Sequence, residues 1–304
     1  MKKTNFFIVG APKSGTTALS EYLRTHPQIF MSNPKEPQYF CTDMPWIRGF
    51  TQLEAYLNLY EDCNSVQVAI GEASVTYLYS SEALYNIHQF NKDAKIIVMV
   101  RNPVDMVYSL FSELRYIFTE DQKSFEMAWN LQETRKRGKN LPWAWFPWSC
   151  GETKLLQYGQ VGKLGKQIER AYSIFHPEQV KVIIFDDFTT NTKKTYEDVL
   201  LFLGLDYGNR TEFPKINENK IYNIQSLQML TRCLPRCLTR FFNRWKYLRN
   251  FKNLFEKQAN DLNHIKVQRP SLSDDFRKEL KVFFHNDVEK LSKLLNRDLT
   301  HWVS

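Results

Sequence analysis

Two hydrophobic periods alternate along the chain. Asn5–Val9, Val66–Ile70, Lys95–Val100 and Val180–Phe185 are short runs rich in β-branched and aromatic residues, the pattern of strands buried on both faces. Between them lie segments whose apolar positions recur near every 3.6 residues: Thr16–Arg24, Ser80–Phe90, Asp105–Arg115, Gly159–Phe175 and Lys193–Leu203. Phe276–Leu295 reads as a closing amphipathic helix, with Ser271, Ser273, Asp274 and Asp275 as capping residues. Strands and helices in alternation predict an α/β fold with a central, mostly parallel sheet flanked by helices. In such sheets ligands sit beyond the carboxyl ends of the strands, which makes the loops there the ones to read for chemistry.

Composition narrows the class. The 304 residues are 43% hydrophobic and 24% charged, so disordered and fibrous classes are excluded and one large domain is feasible. Repeats and linker-like stretches are lacking, and a single domain over 1–304 is expected, with a Trp- and Pro-rich insertion near 139–151 and a basic helical segment near 223–256. No apolar run approaches the roughly 20 residues of a membrane span. The N-terminal run is too short and ends in a Gly-rich turn, unlike a signal peptide. Five scattered cysteines, an odd number, fit a reduced, cytoplasmic protein. The net charge of +8 is concentrated: residues 232–252 carry seven Lys and Arg and no acid, so the rest is nearly neutral and a nucleic-acid partner is not indicated. Within that stretch Arg232, Arg236, Arg240 and Arg244 form an i, i+4 stripe, either a solvated helix face or a weak contact for an anionic membrane.

The first strand runs into Gly10-Ala11-Pro12-Lys13-Ser14-Gly15-Thr16-Thr17, which opens a helix. A glycine at such a junction lets backbone N–H groups approach an anion, and the helix start adds unpaired donors with partial positive charge. Gly10 and Gly15 keep the spacing of a P-loop, but Thr16 stands where its lysine belongs, and the loop's own lysine lies two residues before Gly15. That displacement disfavours an ordinary kinase or ATPase. Val182–Asp187 is similar to a Walker B strand, but a surface Asp after a strand is common; an ATP-dependent small-molecule kinase is the alternative.

The loop resembles the 5′-phosphosulfate loop of sulfotransferases that use 3′-phosphoadenosine 5′-phosphosulfate (PAPS), in the carbohydrate-type and bacterial branch. A second site supports the resemblance: Arg101 ends the strand Ile96–Val100, and Ser109 follows eight residues later on the helix opened by Pro103, the family's arrangement for the nucleotide's 3′-phosphate. Lys266–Pro270 is similar to the family's basic loop that closes over the 3′-phosphate, placing Gln268 and Arg269 there, although Gln268 stands near a usual glycine. The resemblance covers residues 5 to about 303 and implies the P-loop nucleotide-kinase-like sulfotransferase fold. It further implies that Lys13, Ser14, Gly15, Thr16, Thr17, Arg101, Ser109, Gln268 and Arg269 bind PAPS and its product adenosine 3′,5′-bisphosphate, with no metal.

For catalysis, Lys13 is the candidate to stabilise the bridging oxygen as the bond to sulfur breaks. An acceptor hydroxyl needs a base within hydrogen-bond reach. Asn33–Phe40 resembles the family's K-E-P-x-x-F segment, which assigns Glu36 as that base and Lys35 as its aid. His26 is a rival on chemical grounds, but its place just past the first helix reads as a helix-ending turn. Gly71–Tyr77 resembles the E-K-[ST]-P-x-Y segment, with Glu72 and Tyr77 expected beside the acceptor. Ala73 replaces that segment's lysine and Gln38 stands where a histidine is frequent, which argues against a polyanionic glycosaminoglycan acceptor. Trp143, Trp145 and Trp148 form an aromatic loop suited to stacking on a sugar ring or a flat molecule. The expected reaction is in-line sulfuryl transfer to a hydroxyl, or an amine or carbamoyl nitrogen, of a small-molecule, natural-product or carbohydrate acceptor. Oligomeric state is not legible.

Overall fold

In the computed structural model the described residues are 3–117, 119–142, 153–206, 210–216, 220–222, 264–266 and 270–304. They divide into two compact units, the first from 1–110, 157–217 and 274–304, the second from 111–156 and 218–273.

The first unit is built on a five-stranded sheet of β1 (Phe6–Gly10), β2 (Ile29–Met31), β3 (Ala69–Ala73), β4 (Lys95–Val100) and β5 (Val180–Ile184). The order is β2-β3-β1-β4-β5 and every pairing is parallel. The central strands are apolar on both faces because helices cover both: every residue of β1 and β3, and all of β4 but Lys95, is buried. Among the described residues of both units the helices in chain order are α1 (Thr16–Arg24), α2 (Leu53–Leu57), α3 (Ala83–Phe90), α4 (Pro103–Tyr116), α5 (Phe125–Asn130), α6 (Gln132–Lys136), α7 (Tyr158–Val161), α8 (Leu164–Ile174), α9 (Phe185–Thr190), α10 (Thr192–Leu203) and α11 (Asp274–Leu295), of which α5 and α6 belong to the second unit.

Three of the expected strands lie within a residue of their observed positions. The fourth is displaced: Val66 and Val68 are exposed and the strand is Ala69–Ala73. Its sequence, Ala-Ile-Gly-Glu-Ala, lacks the β-branched character of a buried strand. Gly71 is required there, since a Cβ would meet the Phe6 ring at 2.1 Å. The edge strand β2 has only three residues, too few for a period to register. Gly159–Phe175 is two helices, α7 and α8, with the break at Gly162 and Lys163. Asp287 of α11 caps the start of α8, accepting from the N–H groups of Gly165 at 2.8 Å and Lys166 at 3.1 Å.

In the second unit Arg135 and Glu120 have fully buried side chains, paired through Nη2 and Oε1 at 2.7 Å, with Asp121 at 3.3 Å. A short antiparallel pair, β6 (Lys220–Tyr222) with β7 (His264–Lys266), also belongs to it.

Candidate active site

Three features meet at the carboxyl ends of β1, β3 and β4. The first is the turn 11–15. Gly15 ends it at φ 88°, a left-handed conformation, and is the N-cap of α1 with no side-chain cap and no acid in the first turn. The first N–H groups of α1 therefore have no capping side chain, while the N–H of Leu19 already reaches the Gly15 carbonyl at 3.1 Å. A Cβ on Gly15 would approach the Phe185 ring at 3.1 Å and Met99 Cε at 3.3 Å, so the backbone lies close against the sheet. Lys13 is also left-handed, at φ 57°, which a residue with a side chain adopts only where its surroundings impose it. Ser14 and Thr16 are buried, and the Ser14 hydroxyl donates to the Pro12 carbonyl at 3.3 Å.

The second feature is the end of β4. Arg101 donates from Nη1 to the Lys13 carbonyl at 3.3 Å, and its guanidinium lies over the Phe185 ring at 4.7 Å. Arg101 and the β1 turn thus form one continuous basic corner with Phe185 as floor. Asn102 accepts from the N–H of Val104 at 3.0 Å and caps α4, which Pro103 opens. Ser109 is buried on that helix.

The third feature is the turn 33–40, which carries Glu36. Glu36 and Gln38 both take positive φ, 66° and 54°. Both carboxylate oxygens of Glu36 are held from within the same turn: Lys35 Nζ donates to Oε1 at 2.8 Å and Gln38 Nε2 to Oε2 at 2.9 Å. The side chain remains about one third exposed, so it can still receive a proton from outside. Gln38 is itself fixed, its Oε1 accepting from the Thr76 hydroxyl and from Cys41. Burial pushes the Cys41 thiol up to about 12, which leaves it an uncharged packing group.

Glu72 and Tyr77, expected beside the acceptor, are enclosed in the protein. Glu72 Oε1 accepts from Tyr56 at 2.8 Å and from Tyr77 at 3.1 Å, and Oε2 accepts from Ser74 at 2.9 Å. Tyr60 donates in turn to Tyr56 at 3.1 Å. Burial pushes Glu72 up to about 7 against the lowering effect of these donors. Tyr56 lies 16 residues away in sequence, and nothing in the linear pattern points to it. His26 is buried in the turn after α1, where its Nδ1 accepts from the N–H of Gln28 at 3.2 Å and burial lowers its pKa; it is a turn residue. Gln268, Arg269, Trp143, Trp145 and Trp148 lie outside the described residues, as does the basic segment 232–252.

The Walker B resemblance does not carry a metal. Asp187 takes both guanidinium N–H groups of Arg297, at 2.6 and 2.8 Å, and Asp186 accepts from the Trp302 indole at 3.0 Å. No cluster of His, Cys, Asp and Glu suited to a metal ion occurs among the described residues.

A glycine turn feeding an uncapped helix, a strand-end arginine and a clamped carboxylate are thus set on the parallel sheet of an α/β protein. A sequence model described as the sulfotransferase domain matches residues 3–263, and the chain belongs to that family. A crystal structure of a sulfotransferase from Alicyclobacillus acidocaldarius superposes over 100% of both chains with a TM-score of 0.70 and 26% identity. Among curated relatives, carbohydrate sulfotransferase 15 of Mus musculus is 25% identical over 66% of this chain and 44% of its own. The bifunctional heparan sulfate N-deacetylase/N-sulfotransferase 3 of Mus musculus is 25% identical over 96% of this chain and 30% of its own. The chain thus spans less than half the length of these relatives. The family places the chain among sulfotransferases, and the kinase alternative is set aside.

Proposed function

We propose that this chain is a PAPS-dependent sulfotransferase acting on a compact acceptor: a small molecule, a natural product or a short glycan. The observation that carries the reading is the juxtaposition of the Gly15–Arg101 corner with the doubly clamped Glu36. The corner suits a doubly phosphorylated nucleotide. Gly15 keeps the backbone open where a Cβ would collide with Phe185, the first turn of α1 holds no acid, and Lys13 and Arg101 supply charge.

PAPS held there supplies a sulfuryl group on a phosphate leaving group. The chain's contribution is positioning and electrostatics. The N–H groups of residues 14–17 orient the 5′ end, with the Thr16 and Thr17 hydroxyls. Lys13 puts a positive charge at the turn where negative charge grows during transfer. Arg101 and Ser109 hold the 3′-phosphate, joined by Gln268 and Arg269. Glu36 accepts the proton of the acceptor hydroxyl, aimed by Lys35 and Gln38. An amine or carbamoyl nitrogen is the same chemistry with a different proton donor.

Beside Glu36 the uncharged Gln38 and Ala73 favour a compact acceptor over an anionic polymer, with Trp143, Trp145 and Trp148 as candidates to stack on it. No helix among the described residues is long and apolar enough to cross a membrane. A reducing, cytoplasmic setting is the reading the odd, scattered cysteines support.

Two measurements test this. Calorimetry should give tight binding of adenosine 3′,5′-bisphosphate without magnesium and weak binding of ATP–Mg²⁺; the reverse preference overturns the assignment. Incubation with PAPS and a metabolite extract should yield a product heavier by one SO3 unit. Glu36→Gln should abolish that product while leaving the nucleotide dissociation constant unchanged.

A further inference from the structure

Glu72 is a fully buried carboxyl, inaccessible to any acceptor, yet it sits on β3 directly behind the turn that carries Glu36. Its bonds run outward to that turn along two parallel routes. The Ser74 hydroxyl donates to Glu72 Oε2 at 2.9 Å, and Ser74 Oγ accepts the backbone N–H of Gln38 at 3.2 Å. The Tyr77 hydroxyl donates to Glu72 Oε1 at 3.1 Å, and its oxygen accepts the backbone N–H of Phe40 at 3.3 Å. Each hydroxyl has one proton to give. By committing it to the carboxylate, it turns its lone pairs towards the amides of the turn. A third tie, the N–H of Glu36 to the Ala73 carbonyl at 3.0 Å, comes from the residue that follows Glu72.

The turn needs holding. Glu36 and Gln38 both occupy left-handed backbone conformations that are uncommon for residues with side chains and persist only where the surroundings fix them. The hydroxyls alone would be free to rotate and donate elsewhere. Above about pH 7, where Glu72 is ionised and accepts only, it orients both.

We propose that Glu72 is a positioning residue for the transfer reaction: through Ser74 and Tyr77 its carboxylate clips the amides of Gln38 and Phe40 and so fixes the backbone from which Glu36 and its partner Gln38 project. The proposal rests on Glu36 being the base, but its own test does not depend on turnover.

Hydrogen exchange at single-amide resolution is measured on the full chain saturated with adenosine 3′,5′-bisphosphate, for the wild type, Ser74→Ala, Tyr77→Phe and Glu72→Gln. Ser74→Ala should accelerate exchange at Gln38 by about tenfold or more and leave Phe40 unchanged. Tyr77→Phe should do the reverse. Glu72→Gln should accelerate at least one of the two, because its NH2 group only donates and cannot take the place of the carboxylate oxygen that accepts there. Nucleotide affinity should be the same in all four, separating the clip from a general loss of structure. Equal acceleration across the whole sheet in every variant, or no change at Gln38 and Phe40, overturns the proposal. Should Glu72→Gln fail to fold, the two single-route variants decide the matter. If the amides respond as stated but Glu36→Gln keeps full turnover, the clip stands and the assignment of the base falls.

Discussion

The charge state of Glu72 makes a sharp stability prediction. Burial raises its pKa from an ordinary glutamate's 4.5 to about 7. The folded chain therefore holds a proton that the unfolded chain releases between those values, and stability contributed by the neutral carboxyl is lost as pH rises through that window. At about 1.4 kcal/mol for each tenfold change in proton affinity, the displacement corresponds to roughly 3 kcal/mol. Glu72→Gln is uncharged at every pH and removes this dependence. Urea unfolding of both proteins at several values from pH 4 to pH 8 should show the wild type losing roughly 3 kcal/mol relative to the variant across the range. A constant difference would refute the balance in which burial outweighs the three hydroxyl donors. A difference of opposite sign would show that those donors win.

Other perturbations probe the corner and the second unit. Arg101→Ala should weaken adenosine 3′,5′-bisphosphate by about 1.5–3 kcal/mol, the range for a hydrogen bond to a charged group, so an unchanged dissociation constant by calorimetry counts against Arg101 as a ligand. Gly15→Ala forces a side chain into a left-handed conformation and against Phe185, with an expected cost of about 1–3 kcal/mol in thermal or urea unfolding and a larger loss of nucleotide affinity. Wild-type affinity in that variant would show the turn to be less tightly drawn than its geometry. Arg135→Ala removes the guanidinium charge from the buried Glu120 carboxylate, which should cost about 3–5 kcal/mol by urea unfolding; a loss below about 1 kcal/mol would mean that water reaches the pair.

The sheet was legible in the sequence wherever a strand is apolar on both faces, as in β1, β4 and β5. It was not legible at β3, because a glycine seated over Phe6 and a buried glutamate look nothing like a core strand. The meeting of the turn 11–15 with Arg101 could be read because each occupies one loop at a strand end. The surroundings of Glu72 could not, since Tyr56 joins Ser74 and Tyr77 there from a separate stretch of chain. The left-handed residues of the two turns, Lys13, Glu36 and Gln38, have no signature in residue type either; their backbone is imposed by what packs around it. Asp187 shows the opposite error, a suggestive pattern whose carboxylate is occupied by Arg297.

Both groups that grip the Glu36 carboxylate come from its immediate neighbours in the chain, Lys35 and Gln38. On the proposed reading, the carboxylate that takes the acceptor's proton is aimed from within a handful of consecutive residues, on a turn whose backbone is tied to residues 73–77. Whatever contours select one acceptor over another can be remodelled elsewhere on the surface without retuning it.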